Sequence, residues 1–103
     1  MTAAVRIAQS ARDWMRREAE YLHGERPEAA RRFRDAMRKA QILLADQPRA
    51  GVHGLIVDTR ILVSGDYLLS YRLVLAGDGE TVTAVEIFAV RHGRQADARR
   101  LVP

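Results

Sequence analysis

The feature that most constrains this chain is a segregation of periodicities. The first half carries two apolar stripes at helical spacing, and the second half carries only period-two stretches broken by Gly–Asp turns. Helices that cluster at one end of a chain cannot serve as crossovers between successive parallel strands. They must instead lie together against a hairpin-built sheet.

The chain opens on a short strand pattern, residues 3–8, in which Val5 and Ile7 point one way and Arg6 the other. Ser10-Ala11-Arg12-Asp13 has the form of a capping box. A helix with the stripe Ala11, Trp14, Met15, Ala19 and Leu22 is expected to follow, with Gly24 as its stop. Pro27 suits the first turn of a second helix, where its missing N–H costs nothing, and Glu28 complements the helix dipole. Phe33, Met37, Ala40 and Leu44 form the second core stripe, while Arg31, Arg34 and Arg38 lie on another face. Asp46-Gln47-Pro48 ends that helix, and the short connection between the helices predicts an antiparallel pair.

Three strand patterns follow. One begins near Val57 and alternates through Val63 to a Gly65-Asp66 hairpin turn. The next puts Tyr67, Leu69, Tyr71, Leu73 and Leu75 on one face and ends at Gly77-Asp78-Gly79. The third sets Val82, Ala84, Glu86, Phe88 and Val90 against Thr83, Val85, Ile87 and Ala89, and its apolar residues on both faces place it near the sheet centre. Residues 94–101 read as a short terminal helix or a loose tail. The expectation is one α+β domain over residues 1–103, ordered β-α-α-β-β-β. Its small, mainly antiparallel sheet has the N-terminal helix hairpin packed on one face and the other face partly open.

Charge is uneven along the chain. Seventeen basic residues oppose 13 acidic ones, for a net +4, and Lys39 is the only lysine. Guanidinium groups keep their charge and match carboxylates or phosphates with a planar fork of donors. The balance is positive through Pro48, negative from Arg49 to Val90, and positive again from Arg91 onward, which implies an acidic macromolecular partner. The absence of cysteine excludes disulfides and thiolate zinc sites. The three histidines, His23, His53 and His92, have no metal-ligand spacing, and no cofactor loop is present. No apolar run approaches membrane-spanning length, so a cytoplasmic, membrane-independent protein is expected.

Several local patterns share the order of a known family. They are Ala11-Arg12-Asp13-Trp14 at the first helix, Pro27-Glu28-Ala29-Ala30-Arg31-Arg32-Phe33 at the second, and the linker running from Leu43 or Leu44 to Pro48 and Gly51. Tyr67-Leu68-Leu69-Ser70-Tyr71-Arg72 and the closing segment from Val85 to Arg94 complete the set. Together they resemble the RelE/ParE toxin superfamily of type II toxin–antitoxin systems, on its ParE side. The resemblance implies a cognate antitoxin whose flexible segment wraps the toxin along the open sheet face and the grooves beside the helix hairpin, or adds a strand at a free sheet edge, with Arg31, Arg34 and Arg38 meeting its acidic residues. It also implies DNA gyrase as target, and the basic C-terminal segment carrying Arg91, His92, Arg94, Arg99 and Arg100 is the one expected from its charge to contact it. It implies no cofactor, and no sequence-specific DNA binding by this chain alone.

The alternative within the superfamily is a RelE-like ribosome-dependent mRNA endonuclease. That chemistry needs a base, an acid and cationic clamps around one phosphate. Arg60, Arg72, Arg91 and His92 are its candidates here, with His53 as a further one. Two departures weigh against it: no tyrosine follows Tyr71, and neither the linker nor the strands carry a lysine. A third reading is a binding module without toxicity. Tyr67 and Tyr71 are expected to be core or rim packing residues, and Glu86 to face solvent or to pair with an arginine such as Arg72 or Arg60.

Overall fold

The computed structural model describes residues 2–93. Its elements are β1 (Ala4–Ile7), α1 (Gln9–Glu25), α2 (Pro27–Asp46), β2 (Val52–His53), β3 (Thr59–Ser64), β4 (Tyr67–Leu75) and β5 (Val82–His92). The five strands form one sheet in the order β1-β5-β4-β3-β2. β2 through β5 are a meander of antiparallel neighbours, and β1 joins β5 in parallel at the far edge. The α+β architecture read from the sequence is therefore present, with a helix pair on one face and a mostly antiparallel sheet. The additions are the two-residue β2, too short to show a period, and the parallel pairing of β1.

The helix pair is joined by one residue. Arg26 is at once the C-cap of α1 and the N-cap of α2, with φ −146° and ψ 83°, and its N–H donates to the Leu22 carbonyl. The stop is set by Pro27, whose ring forces the preceding residue out of the helical region. Gly24, expected to end the first helix, lies inside it, and open space surrounds the position its Cβ would take. The expected capping box is also absent. The N-cap is Ala8, no side chain caps it, and the Ser10 hydroxyl donates instead to the Phe88 carbonyl at 3.4 Å. Pairing with the sheet draws the helix start two residues earlier than local chemistry suggested.

β3 likewise begins at Thr59 and not near Val57. Gly54 N–H donates to the Thr59 carbonyl and Thr59 N–H to the Ile56 carbonyl, which closes residues 54–59 into a tight loop. Asp58 within it takes a positive φ of 63°. Val57 is 85% exposed despite its apparent place in the alternation. The Gly65-Asp66 turn forms as expected, with Ser64 opposite Tyr67 and Gly65 at φ 57°. That backbone matches the twist of the flanking strands.

β5 departs from simple alternation. Ser70 pairs with Ala89 and Tyr71 with Ile87, so Phe88 is an extra residue that shifts the frame. Val85, Ile87 and Val90 consequently all face the helices and are buried, while Glu86 faces the other way. The sequence pattern had grouped Val90 with Glu86. The core is the layer between this face and the stripe Phe33, Met37, Ala40 and Leu44. Trp14, Phe33 and Tyr67 meet there edge to face, with Phe33 and Tyr67 centroids 4.9 Å apart.

Two substitutions separate local from tertiary contributions. Gly24→Ala should stabilise the protein by about 0.5–1 kcal/mol, the usual gain from replacing glycine inside a helix. Leu44, 0% exposed, should lose about 2–5 kcal/mol on change to alanine, from lost burial and the cavity left behind. Urea midpoints at constant slope measure both.

Candidate docking surfaces

A groove of roughly 520 Å³ runs between α1 and α2. Met15, Ala19, Phe33, Met37 and Ile42 line it with apolar surface, and Arg16, Arg34 and Arg38 stand around it with Gln41. Ile42 is 64% exposed. Arg34 and Arg38 are four residues apart, which stacks them on one helix face. The cations are lightly engaged: Arg16 sits 3.3 Å from Asp13, and Arg38 only 4.0 Å from Asp35. Arg34 has no hydrogen bond or ion pair among the described residues. Of the three arginines read from the sequence as antitoxin contacts, Arg34 and Arg38 line this groove and Arg31 lies outside it. A groove beside the helix hairpin is the antitoxin site expected from the resemblance, but Arg16 and the residues of its floor are not among the contacts read from the sequence. Their signal was the juxtaposition of Met15 and Ala19 with Met37, which requires the helix pairing to be known.

The opposite face of the sheet is covered by no helix or strand among the described residues. Cross-strand partners share a face, so the register defines its rows. Arg6, Glu86, Arg72 and Thr59 form one row across β1, β5, β4 and β3. Arg72 Nε lies 3.3 Å from Glu86 Oε1, and the Arg72 guanidinium sits 4.8 Å from the centre of the Phe88 ring. The pairing of Glu86 with Arg72 was one of those expected from sequence. A second row holds Val52, Ile61, Ser70 and Ala89, and a third Val63, Leu68 and Arg91.

The residues proposed for phosphodiester cleavage are divided by the sheet. Arg60 pairs with Tyr71 and His92 with Tyr67, which places both on the helix side but four β4 positions apart. Arg72 and Arg91 face the other way, also four positions apart along β4, or about 13 Å at the usual rise. Arg60 is engaged structurally: its guanidinium donates to the carbonyls of Arg49 (3.1 Å) and Gly51 (2.7 Å). His92 stacks edge to face on Tyr67 at 5.3 Å. His53 sits on the edge strand β2 opposite Arg60. Arg94, Arg99 and Arg100 lie outside the described residues, as does the expected terminal helix or tail. Among the described residues no cluster of histidine, cysteine, aspartate or glutamate could hold a metal ion. No described helix is long and apolar enough to cross a membrane.

The two strand tyrosines are buried packing residues. The Tyr67 hydroxyl donates to Glu18 Oε2 at 2.8 Å, and the Tyr71 hydroxyl accepts from Gly51 N–H at 2.9 Å. Burial, then the hydrogen bond to Glu18, pushes the Tyr67 phenol well above its ordinary range. Burial likewise pushes up Tyr71. Both groups are held neutral, so neither is poised to exchange a proton near neutral pH.

These shifts carry a pH signature. A native pKa above the ordinary value of 10.0 means that the unfolded chain releases these protons first. Their stabilising contribution is complete below pH 10 and is lost as pH rises through the native values. Urea midpoints should therefore fall with rising pH above about 10, and the combined Tyr67→Phe and Tyr71→Phe variant should show a shallower fall.

Comparison with known proteins completes the description. A family pattern described as ParE toxin of type II toxin-antitoxin system, parDE, matches residues 5–97. No match is found among curated proteins. Among solved structures the chain is similar to one described as the chromosomal ParDE TA system from P. aeruginosa. The two are 12% identical with a TM-score of 0.68, over 88% of this chain and 96% of that one. At that identity the likeness bears on the fold alone. The family pattern, however, runs across both helices and all five strands, and by it the chain belongs to the ParE toxins of type II toxin–antitoxin systems.

Proposed function

We propose that this chain arrests growth by binding and inhibiting DNA gyrase, and that a cognate antitoxin neutralises it by seating a segment in the groove of the helix pair. The observation that carries the antitoxin half is the groove itself, an apolar floor beside Arg16, Arg34 and Arg38. An acidic amphipathic segment matches both parts: its apolar side fills the floor and its carboxylates meet the guanidinium forks. A segment that folds as it binds can cover such a long surface for few residues.

The gyrase half rests on membership of the ParE family and on chemistry that needs only protein contact. The endonuclease reading draws no support from the geometry, since Arg60 and His92 are separated from Arg72 and Arg91 by the thickness of the sheet. For target contact we retain the segment that starts at Arg91 and His92 and continues through Arg94, Arg99 and Arg100. The cytoplasm, where gyrase and antitoxin both reside, is the compartment this reading requires.

Expression without the antitoxin should arrest growth, and the purified protein should inhibit gyrase supercoiling while leaving ribosome-bound mRNA intact. Cleaved mRNA with unimpaired supercoiling reverses the assignment. Truncation after Gly93 should abolish gyrase inhibition while leaving the fold of the remaining domain intact by circular dichroism and cooperative thermal melting. On the antitoxin side, Arg34→Glu combined with Arg38→Glu should weaken binding by about 10–100-fold, or roughly 1.4–2.8 kcal/mol. Calorimetric titration measures it, and an unchanged affinity removes these arginines from the interface.

A further inference from the structure

We infer that the uncovered face of the sheet is a second docking surface, taking the acidic and partly apolar surface of the toxin's target protein. This rests on the toxin reading above and adds where the target sits.

The face has two halves. One is cationic: among the described residues Arg6, Arg72 and Arg91 stand on it against the one strand carboxylate of Glu86. Arg72 is already held, between Glu86 at 3.3 Å and the Phe88 ring at 4.8 Å. An arginine fixed in this way loses less side-chain freedom on binding than a loose one, and arginine beside an aromatic ring is a frequent composition of binding hot spots. The other half is aliphatic. Val52 and Val63 are 69% and 68% exposed, and Ile61 and Leu68 lie beside them in the same rows. A sheet face meant only for water alternates to polar side chains at such positions, and contiguous exposed aliphatics mark contact sites.

The net positive charge selects an acidic partner. The aliphatic half selects a protein over a nucleic acid, because a phosphate backbone offers Val52 and Val63 nothing to bury against. Arg91 belongs to this face and also opens the segment proposed for target contact. The groove of the helix pair lies on the reverse side of the sheet. Antitoxin in the groove and target on the sheet therefore use different residues, and their affinities can be changed separately.

The test uses the full chain with three single variants: Arg72→Glu and Val63→Asp on the face, and Arg17→Glu on the exposed surface of α1 as a charge-reversal control. Circular dichroism and thermal melting confirm folding, and Val63 is exposed enough that its variant should melt like the parent. Growth arrest on induction, affinity for purified gyrase, and affinity for the antitoxin are then measured. Both face variants should lose growth arrest and at least tenfold in gyrase affinity. Their antitoxin affinity should stay within twofold, and the control should match the parent in all three. If folded face variants arrest growth like the parent, the inference is overturned. Equal loss of antitoxin and target affinity overturns it too, since the face would then be a shared site. Loss with Arg72→Glu but not with Val63→Asp would indicate phosphate recognition and overturn the protein partner. If the parent arrests growth without binding gyrase, while both face variants abolish arrest, the surface stands and the gyrase reading fails.

Discussion

The structure depends on the contact of α2 with β4, centred on Phe33 and Tyr67, whose rings meet edge to face 4.9 Å apart. Trp14 closes on both rings from α1, at 6.3 Å from Phe33 and 6.1 Å from Tyr67. Aromatic side chains bury more area than any others and prefer this perpendicular geometry. Fixing these three rings fixes the rest. It sets which stripe of each helix faces inward, which face of the sheet is covered, and hence which face is left to solvent.

Hydrogen bonds then hold the periphery to that centre. Ser64 Oγ donates to the Ala36 carbonyl on α2, tying the β3–β4 hairpin to the helix. Tyr71 and Arg60 bind the backbone of Gly51 from opposite sides of the peptide chemistry, one accepting its N–H and the other donating to its carbonyl. Gly51 must lack a side chain there, because a Cβ would stand 2.6 Å from the Ile61 carbonyl oxygen. The linker after α2 is thus clamped into the sheet edge. The consequence for function is that Arg60 is absorbed by structure, while Arg34, Arg38, Arg72 and Arg91 keep their charge directed outward. Guanidinium groups on rigid elements thus stand on both sides of the sheet.

The bulge at Phe88 shows how a single irregularity changes the surface. Without it, the strand would carry Val90 to the same side as Glu86 and the core would lose a residue that is 5% exposed. With it, Phe88 reaches the Arg72 guanidinium on the uncovered face. The bulge improves the core on one side and builds a preorganised arginine on the other.

Much was settled by the chain's own pattern. The two helices, the Gly65-Asp66 turn, the inward stripe of α2 and the buried face of β4 follow from periodicity and turn chemistry, because they depend on residues within one or two turns of one another. Local order of motifs likewise sufficed to suggest the family. Tertiary structure decided what depends on residues distant in sequence. The helix start moved because Ala8 N–H reaches the Ile87 carbonyl, extending the parallel pairing of β1. The β5 frame shifted because Tyr71 and Ser70 impose the register across the sheet. The groove of the helix pair exists only once Met15 lies beside Met37, and the division of Arg60 and His92 from Arg72 and Arg91 exists only once the strands are paired. In each case a side chain's direction is set by a partner tens of residues away, and no local propensity encodes that partner.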